Sequence, residues 1–273
     1  MDNGFESTVR SACIELPDQT GMRNKFHIRR AGQRSTAQDP IVVFICGLGS
    51  SCLGFTVVQH ELAAAGVASF TYDRLGIGRS SPLPQADNAK AAAAAPQTAQ
   101  SRHAKELATE LGEVLDAAGV LPPYIIASHS YGGVIGWEYT AAHARHVVGF
   151  VAIDANSARS IERPLNDQDL EILTEGLADG VFDYHEIVGL NAANRLPSAL
   201  WDEATSKSRP TEPWQHGTGG EEAEMRGCSD SCEALQRLGL LSGHPLTRYP
   251  VTVLKGDTAM DIGRLIDASE ALG

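Results

Sequence analysis

Ser128-His129-Ser130-Tyr131-Gly132 places a serine at the centre of a pentapeptide whose two ends are small residues. An apolar run, Tyr124-Ile125-Ile126-Ala127, leads into it and a helix-like segment from Gly133 leads out, so Ser130 falls on a sharp strand-to-helix turn, a nucleophile elbow. Such a turn strains the backbone of its central residue, and only small neighbours two positions away leave room for it. Ser128 stands where a glycine is more usual. A hydroxyl held on a turn of this kind is suited to nucleophilic attack if a base takes its proton and donors stabilise the oxyanion that forms. A serine that merely caps the following helix is the plain structural alternative, and it leaves the rest of the pentapeptide unexplained.

The elements that must position Ser130 are legible in the periodicity. Residues 11–16 and 25–29 alternate between faces and read as an antiparallel pair opening a sheet. Residues 41–46 are apolar throughout and β-branched, as a central strand covered on both faces would be, and 67–72 repeat the pattern after a helix over 56–65. Ser101 is read as the N-cap of the next helix, in which Leu107, Leu111, Val114, Leu115 and Ala118 recur at helical spacing until Gly119. Residues 147–153 and 251–254 read as two further buried strands. Between them, at about 158–247, the chain is more polar, carries Trp201 and Trp214, and loses the strand-helix alternation, which predicts a helical cap inserted after the sixth strand. The alanine-rich stretch at 89–95, broken by Pro96, reads as a surface loop or short helix.

The 273 residues, 42% of them hydrophobic, suffice for one large core, so 1–273 is read as a single α/β domain carrying the cap. A net charge of −12 disfavours nucleic acid and anionic membrane surfaces and favours a neutral small molecule. No basic leader opens the chain and no stretch of 18 apolar residues occurs, from which a soluble, cytoplasmic protein is expected. Cys13, Cys46, Cys52, Cys228 and Cys232 are odd in number and scattered, hence free thiols rather than a disulfide framework. Cys228 and Cys232, with His216 and His244, match no standard zinc spacing, and neither a metal nor a cofactor is expected. The oligomeric state is not legible.

Two further motifs join the pentapeptide: Cys46-Gly47-Leu48-Gly49-Ser50-Ser51 after the third strand, and Tyr72-Asp73-Arg74-Leu75-Gly76-Ile77-Gly78-Arg79-Ser80 after the fourth. In this order and at these separations the chain resembles the α/β-hydrolases, in particular small soluble esterase-like members with a cap such as occur in fungi. The likeness runs from Ser11 to about Asp261. It implies a mostly parallel sheet with helices on both faces, and an oxyanion hole formed by the backbone N–H groups of Leu48 and Tyr131. Gly47 and Gly49 also allow a plain tight turn, while a dinucleotide fingerprint would need a third glycine that Cys52 replaces. Asp73 and Arg74 are read as a structural pair. For the acid, Asp257 is the first choice, Asp261 the second, and Asp154 at the end of the sixth strand a third. The family's histidine follows an eighth strand, for which no counterpart is found before Gly273. His27, His60, His103, His143 and His146 lie on the wrong elements, and His129 is expected on the far side of the turn. Of the cap histidines His185, His216 and His244, the last is preferred for its closeness to the return into the sheet. The resemblance thus implies a serine hydrolase of esters, thioesters or lactones. The competing expectation is a catalytically deficient ligand-binding or pathway protein on the same fold.

Overall fold

The structure is a computed structural model that describes residues 8–18, 21–81, 101–157, 184–205, 220–237, 249–256 and 264. Seven strands form one sheet: β1 Val9–Pro17, β2 Arg23–Ala31, β3 Ile41–Ile45, β4 Ser69–Tyr72, β5 Tyr124–His129, β6 Val147–Ile153 and β7 Val251–Leu254. Their spatial order is β1-β2-β4-β3-β5-β6-β7. The β1/β2 and β2/β4 pairs are antiparallel and the remaining four are parallel, as the run of fully apolar central strands predicts.

Alternation along each strand sorts the core into two layers. Val43 and Ile45 of β3 join Phe70, Tyr72, Tyr124 and Ile126 under α2 (Ala104–Ala117) and α3 (Gly132–Ala142). Val42 and Phe44 face the other way, with Ala127, against Phe55 and Leu62 of the turn Cys52–Phe55 and helix α1 (Thr56–Ala64). Helices therefore cover both faces. The cap of α2 differs from expectation: His103, not Ser101, is the N-cap, and the Glu106 side chain three residues on accepts from His103 N–H at 3.1 Å. The elements described between β6 and β7 are helices: α4 Tyr184–Ile187, α5 Leu190–Ala193, α6 Ser198–Thr205 and α7 Gly220–Arg237. No helix among the described residues is long and apolar enough to cross a membrane.

Strand order reverses at β3: the chain leaves it toward β4 on one side, while β5 lies on the other. The carboxyl ends of β3 and β5 therefore flank a crevice, the place where open α/β sheets bind their ligands.

Candidate active site

Ser130 leaves β5 with φ = 50°, one of two non-glycine residues among those described with positive φ. This conformation is costly for a residue with a Cβ and persists only when its surroundings fix it. They do so through the backbone. Ser130 N–H donates to the Ile153 carbonyl at 3.4 Å, and its own carbonyl accepts from Gly133 and Asn156 N–H, each at 2.8 Å. A Cβ on Gly132 would run into the carbonyl oxygens of Ile45 and Cys46, and one on Gly133 into that of Asn156. Glycine at both positions thus lets α3 begin directly against the end of β3 and the residues that follow β6.

The loop after β3 lies against the serine. A Cβ on Gly47 would stand 3.2 Å from Ser130 Cβ and 3.1 Å from His129 Nδ1. Ser50 N–H closes the turn on Gly47 O at 3.2 Å, and Gly49 takes φ = 62°. Behind the loop, Arg74 donates from Nη1 to Cys46 O (2.9 Å) and from Nη2 to Gly47 O (2.6 Å). The same guanidinium makes a two-pronged pair with Glu224 of α7, Nε to Oε1 at 2.5 Å and Nη2 to Oε2 at 2.8 Å, and Glu224 Oε2 also accepts from Gly49 N–H at 3.1 Å. Both side chains are sealed from solvent, Arg74 at 2% exposure and Glu224 at 0%. Burial works against the Arg74 charge, but the Glu224 carboxylate outweighs it and holds the guanidinium above its ordinary pKa.

Residues 42–272 match the model of the alpha/beta hydrolase family. The chain belongs to that family. An AB hydrolase superfamily protein of Gibberella zeae is 28% identical over 247 residues, 88% of this chain and 70% of that protein. A probable transporter of Hormonema carpetanum is 26% identical over 92% of this chain, which spans only 32% of that relative. Among solved structures, Cfl2 of Burkholderia cenocepacia superimposes with a TM-score of 0.58 at 16% identity, over 97% of this chain and 95% of that one. The match bears out the fold read from the three motifs.

Within this α/β-hydrolase the third motif does not form the internal pair expected of it. Asp73 and Arg74, consecutive at the end of β4, turn opposite ways and take different partners. Asp73 accepts from His27 Nδ1 (2.8 Å), Cys52 N–H (2.7 Å) and Arg79 N–H (3.0 Å). Burial raises the pKa of the Asp73 carboxyl, yet the His27 hydrogen bond and charge, with the two backbone donors, bring it below the ordinary value. His27, Cys52 and Asp73 are all buried, with possible ligand atoms within 4.8 Å of one another. In the structure these groups serve one another: the carboxylate takes three donors, His27 among them, and burial, then Asp73, push the Cys52 thiol well up. The trio is an internal brace.

Of the acid and base candidates, Asp154 is described. It sits at the end of β6 with φ = 43°, donates its N–H to Leu254 O at 2.6 Å, and lies beside Gly256, whose Cβ would stand 3.4 Å from Asp154 Oδ2. Asp257, Asp261, His216 and His244 lie outside the described residues, and His185 falls on α4. His129 is exposed at the rim and does not turn wholly away from the loop, since it flanks Gly47 together with Ser130. Its pKa is lowered by the surrounding protein, with the Asp154 charge opposing. The residue that sequence reasoning missed is Glu224. It lies in Glu221-Glu222-Ala223-Glu224, an acidic run that reads as a solvated face.

Proposed function

We propose that this protein is a serine hydrolase cleaving an ester, thioester or lactone of a small, largely apolar molecule. The observation that carries the reading is the strained Ser130 turn, φ = 50°, set against the Gly47 loop at the crevice where strand order reverses. Ser130 Oγ attacks the substrate carbonyl carbon, and the negative charge that develops on the carbonyl oxygen is received by the N–H groups of Leu48 and Tyr131. The base takes the serine proton and returns it to the departing alcohol or thiol. Water then repeats the attack on the acyl-serine and releases the acid. His244 is the proposed base and Asp257 its orienting acid, with Asp261 and Asp154 next in order. The net charge of −12 favours a neutral substrate over an anionic one. Five free cysteines fit a reducing, cytoplasmic setting.

A fluorophosphonate probe read by intact mass tests the assignment. The wild type gains one adduct and Ser130→Ala gains none. An adduct that persists in Ser130→Ala rejects the nucleophile. A wild type that never reacts rejects the enzyme reading in favour of a ligand-binding member of the fold.

A further inference from the structure

Helix α7 packs against α2 and α3 and lies close to the chain at Gly76 and Arg102. A Cβ on Gly220 would collide with Gly76 O and one on Gly227 with Arg102 O, while Arg102 N–H donates to Ala223 O at 2.9 Å. From this seat the helix reaches both segments that carry the oxyanion donors, by separate routes.

The first route is Glu224. The peptide between Gly47 and Leu48 is one planar trans unit, so its carbonyl and its N–H point in opposite directions. Arg74 Nη2 grips the Gly47 carbonyl, which directs the Leu48 N–H away from Arg74. A cation on the carbonyl side also polarises the peptide, making that N–H a better donor. The planar guanidinium fork serves Cys46 O, Gly47 O and Glu224 at once, which a lysine ammonium could not do in the same geometry. Glu224 neutralises the buried charge and takes the Gly49 N–H with the same oxygen, so one carboxylate on α7 secures the loop on both sides of Leu48.

The second route is Ser231. Its hydroxyl donates to Gly227 O at 2.5 Å and accepts from Ala104 N–H at 2.9 Å. With its single proton used, Ser231 can meet the Tyr131 hydroxyl at 3.2 Å only as acceptor, so Tyr131 O–H donates. That bond anchors the side chain of the residue whose backbone N–H is the second oxyanion donor.

We infer that Arg74, Glu224 and Ser231 are positioning residues of the oxyanion hole, through which helix α7 aims both of its N–H donors. The inference rests on the serine-hydrolase reading for its catalytic meaning, but the loop geometry it asserts does not. Displacement of α7 releases Leu48 and Tyr131 together.

Three variants test it, each first checked for native circular dichroism: Glu224→Gln, Ser231→Ala, and the double variant Arg74→Met with Glu224→Leu. The double variant guards against misfolding, because replacing a buried ion pair by apolar groups of similar size is often tolerated, whereas removing one partner strands a charge. With a p-nitrophenyl ester, the double variant should lose about 10- to 100-fold in kcat while KM stays within about threefold, a fraction of the 10²–10³ that deleting an oxyanion donor costs. Affinity for a boronic acid forming a tetrahedral adduct should fall by the same factor. Glu224→Gln and Ser231→Ala should show smaller losses of the same kind. A loss confined to KM, or an unchanged kcat, overturns the inference. A crystal structure of the double variant decides the matter without turnover: a rotated Gly47-Leu48 peptide supports it, and an unmoved loop overturns it. Failure of the Ser130 reading would show instead as an adduct that survives Ser130→Ala.

Discussion

Ser128 occupies the elbow position that usually holds glycine, and its hydroxyl is buried with no hydrogen-bond partner among the described residues. The space that admits it comes from Gly136, one turn into helix α3, where a Cβ would collide with Ser128 Oγ and lie 3.1 Å from Ile126 Cγ2 and 3.2 Å from Phe150 Cε2. A buried hydroxyl without a partner costs about 1–3 kcal/mol, so Ser128→Ala should stabilise the fold by about 1 kcal/mol. With an unfolding entropy of roughly 2.1 cal/mol/K per residue, about 0.6 kcal/mol/K for a chain of this length, Tm should rise by about 2 °C. Gly136→Ala in the wild-type background adds a methyl where none fits and should destabilise by about 1–3 kcal/mol. In the Ser128→Ala background the hydroxyl is gone and two contacts that yield by a few tenths of an ångström remain, while alanine recovers roughly 0.5–1 kcal/mol of helix stability over glycine. The double variant should therefore exceed the sum of the singles by about 1–2 kcal/mol. Urea unfolding of the four proteins, followed by both fluorescence and circular dichroism to check two-state behaviour, measures the cycle. Additivity within about 0.5 kcal/mol, or a lower Tm in Ser128→Ala, refutes the compensation between the two positions.

Two other perturbations follow from the same region. Gly132→Ala drives a methyl into the Ile45 and Cys46 carbonyl oxygens, which are backbone and cannot rotate away, so it should cost more than about 3 kcal/mol and abolish fluorophosphonate labelling of whatever fraction folds; a stable, reactive variant would contradict the elbow packing. Asp73, held ionised below its ordinary pKa, contributes stability that is complete above about pH 4 and disappears as pH falls through its depressed folded value, because the unfolded state then binds the extra proton first. Asp73→Asn should lower stability at pH 7 and flatten the acid limb of the stability profile, and an acid limb as steep as that of the wild type would assign the pH dependence elsewhere.

The sheet could be read from the chain because its signals are local. Residues 147–153 and 251–254 coincide with β6 and β7, since short runs rich in β-branched and apolar residues mark strands, but β7, read as buried, is exposed in the structure, with Val253 69% exposed. The strained serine was legible too, as five consecutive residues specify the turn. His103 escaped notice because its cap relies on a side-chain partner three residues on, while Ser101 looked the better cap by residue type alone. Glu224 could not be found in this way. A glutamate in an acidic run is ordinarily solvated, and only the folded chain brings it, 150 residues later in sequence, to Arg74.

The same limit explains the misreading of Asp73 and Arg74 as a pair. Adjacent opposite charges invite that pairing, but consecutive residues leaving a strand point to opposite faces. Asp73 goes to the β2 side and takes the Cys52 N–H, whereas Arg74 goes to the carbonyls of Cys46 and Gly47. Between them they hold the first and last residues of the loop 46–52, the loop that carries Leu48. Each takes its partner from elsewhere in the chain, a hydrogen bond from His27 for the carboxylate and the Glu224 carboxylate for the guanidinium. The loop is thus fastened at one end to β2 and at the other to α7. Of these two anchors, only the second belongs to the segment that follows β6, and it is there that movement of the segment would be felt at the loop beside Ser130.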